Sequence, residues 1–154
     1  MDVTALRKAH EELIAVAAGG GFGPPPAGEW DADTLLAHIA LVDASITASV
    51  LSVVAGQRTG YDNRASLDEW NLRRVVSEHH GTEGLIEFIR VQGNVLAEVA
   101  ASLPESAHGV AVPVLILSSG QLAVDEPWTL DELISSIGSY HLPQHTEQLA
   151  ELRK

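Results

Sequence analysis

The sequence predicts a mainly α protein, with four long helices and one β-hairpin inserted before the last of them. Two patterns carry that expectation. Along four separate stretches, apolar residues recur every three to four positions, the spacing of a buried helix face. Between the third and fourth stretches the rhythm changes to alternation, the period of a half-buried strand. With 154 residues, 45% hydrophobic and 19% charged, the chain has the material for one domain, residues 1–154, with a full core.

The formal charge is -12, from 21 acidic and 9 basic residues. Phosphate backbones and anionic lipid surfaces are repelled by such a chain, so nucleic acid and membrane surfaces are not expected as partners. The absence of cysteine removes disulfides, thiolate nucleophiles and thiolate metal ligands together. Met1 to His10 is charged and amphipathic, without the apolar core of a signal peptide. No apolar run reads as long and uninterrupted enough to span a bilayer, and the expected location is cytoplasmic.

Taken in order, Asp2 to Ala18 carries Val3, Leu6, Leu13 and Ala17 on one stripe, and His10 shares it. His10 is a candidate fourth metal ligand or outer-shell partner, set against the plainer reading of a packed, hydrogen-bonded core histidine. Gly19 to Trp30 holds a run of glycines and then Pro24-Pro25-Pro26, which excludes helix and strand. With no preceding strand and no Gly-Lys-Ser/Thr, it is not a phosphate loop. Asp31 or Asp33 can cap a helix running to about Ala55, with Leu35, Ile39, Val42, Ile46, Val50 and Val53 buried and Gly56 as its stop. His38 falls on or beside the core face near its start.

Gln57 to Ala65 reads as polar loop, and Ser66-Leu67-Asp68-Glu69 as a capping box for a shorter helix through Trp70, Leu72 and Val76, ending at His79-His80-Gly81. Thr82 starts a third long helix with Leu85, Ile89, Leu96, Val99 and Leu103 inward and Pro104 beyond it. Val110, Val112, Val114 and Ile116, then Leu122 and Val124, bracket Ser118-Ser119-Gly120-Gln121 as a hairpin. Pro113 restricts its strand to an edge or irregular role, and the ribbon must lie on the helices or pair with another chain.

Thr129-Leu130-Asp131-Glu132 is a capping box for the last helix, Thr129 to Lys154. Its stripe of Leu130, Ile134, Ile137, Leu149 and Leu152 is completed by His141 and His145. Residues four apart share one helix face, so both rings can reach a single interior point, which is a metal-ligand spacing. Two core histidines satisfied by hydrogen bonds would give the same pattern; a third ligand separates the readings, and His38 is the natural one. Pro143, between the pair, cannot donate to the Ser139 carbonyl and should kink the helix there.

Two stretches carry a resemblance. Trp30-Asp31-Ala32-Asp33-Thr34-Leu35-Leu36-Ala37-His38-Ile39 is similar to the pattern W-x-x-x-x-(V/L)-L-x-H-(L/I), and His141-Leu142-Pro143-Gln144-His145-Thr146-Glu147-Gln148-Leu149 to H-x-x-x-H-x-x-Q-L. Together with the four long helices they resemble the DinB/YfiT-like family of four-helix-bundle metalloproteins over most of the chain. The resemblance implies a four-helix bundle and a divalent transition metal, zinc or nickel, on His38, His141 and His145. The hairpin and Tyr61-Asp62-Asn63-Arg64 look more like the branch that includes mycothiol-dependent maleylpyruvate isomerase. Pro143 within the final motif departs from the family pattern and puts the position of His141 in question.

Three neutral imidazoles with an open coordination position suit catalysis better than a structural site. The function expected first is a thiol S-transferase or isomerase, in which a low-molecular-weight thiol such as mycothiol attacks a small electrophile. A metal-dependent hydrolase is one alternative; a non-catalytic dimeric binding protein with a vestigial site is the other. No residue has a spacing that makes it a general base. Among Asp43, Asn71, Tyr140 and Gln148, the polar residues near the site, Gln148 is a candidate outer-shell partner three residues after His145. Trp30 and Trp70 read as packing.

Overall fold

The computed structural model describes residues 1–153 as a mainly helical protein with a small three-stranded sheet. The elements are α1 Thr4–Ala18, α2 Ala32–Val54, β1 Tyr61–Asp62, α3 Arg64–Leu67, α4 Glu69–His79, α5 Thr82–Ala101, α6 Glu105–His108, β2 Ala111–Ser118, β3 Gln121–Thr129, α7 Leu130–Ser136, a π-helical turn Ile137–His141, and α8 Leu142–Glu151.

Long-range contacts fix the directions of the long helices. Arg7 pairs with Glu98, His10 packs on Gly93 and His10 bonds Asp43, so α1 runs against both α5 and α2. The Thr82 hydroxyl meets the Asp33 carboxylate at 2.6 Å, bringing the N-termini of α5 and α2 together. Gly138 lies on the backbone of Leu6 and Arg153 reaches the Val16 carbonyl, so the C-terminal helical stretch runs alongside α1 in the same direction. Leu13, Leu35, Ile39, Ile46, Leu85, Ile89, Leu96, Leu133, Ile134 and Leu142 are fully buried between these elements.

Local signals set most helix ends. Asp31 accepts from the Thr34 amide at the start of α2. Thr129 and Glu132 form the expected reciprocal capping box. His80 and Gly81, both at positive φ, close α4. The Ser66 capping box does not form: Ser66 sits inside α3 with its hydroxyl on the Asn63 carbonyl, and Asp68 caps α4 by accepting from the Asn71 amide. The buried face of α4 is Leu72 and Val75, whereas Trp70 is exposed with Arg74 over its ring, so Trp70 is not core packing. One further correction concerns α2, which is long and apolar enough by length and composition to cross a bilayer. Most of its apolar surface is buried against the other helices, and Asp43 lies fully buried within it.

The hairpin forms as expected, with Ser119 and Gly120 both at positive φ in the two-residue turn. It packs on the helices through Val112 and Val114. Two details differ from expectation. The supposed loop at Tyr61 contributes β1, which pairs in parallel with Val114 and Leu115, so β2 is the central strand rather than an edge. The sheet tolerates Pro113 there because Pro127 stands opposite it, at a position where the ladder needs neither N–H, and β1 begins only at the level of Val114. The Asn63 amide then extends the short strand, bonding both the carbonyl and the N–H of Leu117 at 2.9 Å.

Candidate metal centre

Three elements bring three imidazoles together. His38 lies in the second turn of α2, buried; His141 ends the π turn and His145 lies in α8, both half-buried. Their ring centroids are 5.3 Å (His38 to His141), 5.1 Å (His38 to His145) and 4.5 Å (His141 to His145) apart. One nitrogen from each ring falls within a set spanning 4.8 Å, the arrangement of a metal-binding group.

The helix carrying two of them is irregular where the sequence places Pro143. The Leu142 N–H bonds the Ile137 carbonyl, one residue further back than in an α-helix. Ser136 and Ser139 return their hydroxyls to the carbonyls of Leu133 and Ser135, which favours bending at the same place. The expected kink is thus a widened turn ending at His141, and Pro143 falls at the start of the next α segment.

Outer hydrogen bonds aim the rings. His38 Nδ1 donates to the Ser66 carbonyl at 2.9 Å, a group made available because α3 ends one residue later. His145 Nδ1 donates to Gln148 Oε1 at 2.9 Å. Both tautomers follow from these acceptors and leave the Nε2 lone pairs free. His38 Nε2 and His141 Nε2 are 3.2 Å apart. Tetrahedral zinc at about 2.0–2.1 Å from nitrogen holds neighbouring ligand atoms about 3.3 Å apart, so this pair already has the spacing of two coordination vertices. A direct His38–His141 hydrogen bond fits the same distance but leaves the His145 lone pair unused. The three imidazoles together could hold a metal ion.

Burial is the main reason all three rings are neutral near neutral pH. It pushes the His38 pKa down to about 4, helped by repulsion from His145 and opposed by the Ser66 carbonyl. It holds His141 well below 6.5, reinforced by His145, His38 and His10. His145 is lowered by burial against the Gln148 hydrogen bond. Trp30 packs on His38 with ring centroids 5.0 Å apart.

His10 is not among the three. Its Nδ1 faces the Leu6 carbonyl at 3.0 Å and its Nε2 faces Asp43 Oδ2 at 2.8 Å, so both ring nitrogens are engaged away from the group. Asn71 bonds the Ala65 carbonyl, and Tyr140 is exposed. A groove of about 700 Å³ beside the glycine-rich connection and the starts of α2 and α5 is lined by none of the three histidines. What sequence reading did not find is the Ser66 carbonyl and the Asp43–His10 pair. A lone aspartate in the middle of the apolar α2 stripe was the available signal for the second.

The chain is thus a mainly helical protein with a group of three histidines able to hold a metal ion. No family model, curated protein or solved structure matches it.

Proposed function

We propose that this chain is a divalent-metal-dependent enzyme of the DinB/YfiT-like family, with zinc or nickel on His38, His141 and His145, acting as a mycothiol-type thiol S-transferase or isomerase on a small electrophile. The observation that carries the reading is the convergence of three neutral imidazoles, two of them at vertex spacing, with no carboxylate in the group. A cation held by His38, His141 and His145 would keep its full charge, because these donors are uncharged, and would lower the pKa of a thiol bound to it.

The chain's own residues supply the rest. Ser66 and Gln148 fix the tautomers of His38 and His145, and burial keeps the rings deprotonated. The partial exposure of His141 and His145, against the buried His38, supports an approach from the side of the last helix. A hydrolase would need a proton acceptor in front of the site. Asp43, the carboxylate buried in the same bundle, is engaged by His10 instead. An external thiol needs only the cation's charge, which favours the transferase reading. The enclosure of one core by α1, α2, α5 and the C-terminal helical stretch supports the four-helix-bundle reading.

The test is cobalt substitution followed by titration with mycothiol and other low-molecular-weight thiols. Sulfur entering the coordination shell creates a thiolate-to-cobalt charge-transfer band, and His145→Ala should abolish it while leaving the fold intact. Tight cobalt binding with silence toward every thiol tried would replace this reading with the hydrolase. Failure to bind cobalt would indicate a vestigial site.

A further inference from the structure

Two of the three imidazoles have an outer hydrogen-bond acceptor and the third does not: His141 Nδ1 is sealed from solvent and has no partner among the described residues. One other orphaned atom lies deep in the same bundle, Asp43 Oδ1, on a side chain with no solvent exposure. The helix registers bring the two to one level. The C-terminal helical stretch runs alongside α1, with Gly138 against Leu6 and Arg153 against Val16, so His10, four residues beyond Leu6, and His141, three residues beyond Gly138, stand at about the same level. Asp43 is at that level because it bonds His10 at 2.8 Å.

The two orphans are chemically complementary. With its Nε2 turned to the metal, a neutral His141 carries its proton on Nδ1 and must donate; a carboxylate oxygen can only accept. An unpaired buried donor or acceptor costs roughly 1–3 kcal/mol, and a buried water with such partners removes the cost at both ends.

We infer that Asp43, itself held by His10, positions the metal ligand His141 from behind, through one buried water that accepts from His141 Nδ1–H and donates to Asp43 Oδ1. The inference rests on the metal-site reading above. It explains why a carboxylate stands in the middle of an apolar helix, and why Gly93 faces His10: a Cβ there would lie 2.5 Å from His10 Cδ2 and 2.6 Å from its Nε2, displacing the ring that anchors Asp43. A cleft of about 160 Å³ between α1 and α5, with Arg7, Arg90 and Asn94 in its lining, reaches His10 from outside. His10 is suited to the task by geometry: its ring is fixed between the Leu6 carbonyl at 3.0 Å and Asp43 Oδ2 at 2.8 Å, and the hydrogen bond to His10 opposes the rise that burial imposes on the Asp43 pKa. The chain thereby gives each ligand a different acceptor: a backbone carbonyl, a side-chain amide, and a water-linked carboxylate.

The experiment compares full-length wild type, Asp43→Asn and Asp43→Leu, reading cobalt affinity by chelator competition and the cobalt d–d spectrum without thiol. Outer-shell removal should weaken binding roughly 10–100-fold. Asn, which retains an acceptor oxygen, should bind more tightly than Leu, and the d–d bands should shift in both; wild-type affinity and spectrum in Asp43→Leu would overturn the inference. If the variants fail to fold, long-range proton–nitrogen NMR of the wild-type zinc-loaded protein decides. A slowly exchanging proton on His141 Nδ1 supports the inference, and a bare or rapidly exchanging Nδ1 refutes it. Zinc uptake is read separately in the same titration, so failure of the metal-site reading, with no zinc bound, is distinguishable from failure of this one.

Discussion

Gly138→Ala should destabilise the protein and weaken its metal site together. Gly138 lies in the π turn, three residues before His141, where that turn crosses α1. A Cβ at this position would lie 2.8 Å from Leu6 Cα, 2.9 Å from Leu6 N and 3.1 Å from the Ala5 carbonyl carbon. All three are backbone atoms of a regular helix, so no rotamer change relieves the contact and one element must shift. Forcing a methyl into a packed interior costs roughly 1–3 kcal/mol, and contact with backbone that cannot rotate away puts this case in the upper part of that range, about 2–3 kcal/mol. Replacing a helical glycine by alanine returns about 1 kcal/mol through backbone entropy. The net loss is therefore about 1–2 kcal/mol. At about 2–4 °C per kcal/mol for a domain of this size, Tm should fall by about 2–8 °C in calorimetry of the metal-free protein. Because relief requires moving the turn that ends at His141, zinc affinity should also fall. Truncating Leu6 in the same background should give no rescue, since its side chain is not what clashes. A Tm equal to or above wild type would show that α1 and the turn are not in backbone contact, and the reasoning would fail.

Two further outcomes follow from the outer hydrogen bonds and the buried rings. In the metal-free protein, the His38 pKa of about 4 lies below its unfolded value of 6.5, so the unfolded chain takes up the proton first as pH falls. Stability is full above about pH 6.5, declines through the window between, and the loss is complete below about pH 4; the shift corresponds to roughly 3 kcal/mol for His38, with His141 and His145 adding in the same direction. Denaturant midpoints measured across that range should show the decline, and a flat profile would contradict burial of a neutral His38. Gln148→Leu removes the acceptor that orients His145 while keeping similar volume, so zinc affinity should drop roughly tenfold with little change in unfolding midpoint; unchanged affinity in chelator competition would show the Gln148 contact does not orient the ligand.

What can be read from the order of the residues depends on the range of the interaction. The long helices, the Asp31 cap, the Thr129–Glu132 capping box and the Ser119-Gly120 turn depend on neighbours within a few residues, and each was legible in the order of the residues. So was the pairing of His141 with His145, because a four-residue spacing fixes a shared helix face whatever surrounds it. Features that depend on distant segments meeting emerge only when the chain is folded. Ser66 looks like a cap by local pattern, yet α3 takes it up and its carbonyl serves His38, 28 residues away in sequence. Pro113 reads as an edge residue until Pro127 is found opposite and Tyr61 beside the next residue along. Asp43 carries no local mark beyond its place in an apolar stripe, and its partner is 33 residues distant. Spacing in sequence states which side chains share a face; only packing the faces together sets which backbone groups and charges meet behind them, because those contacts are properties of two elements at once.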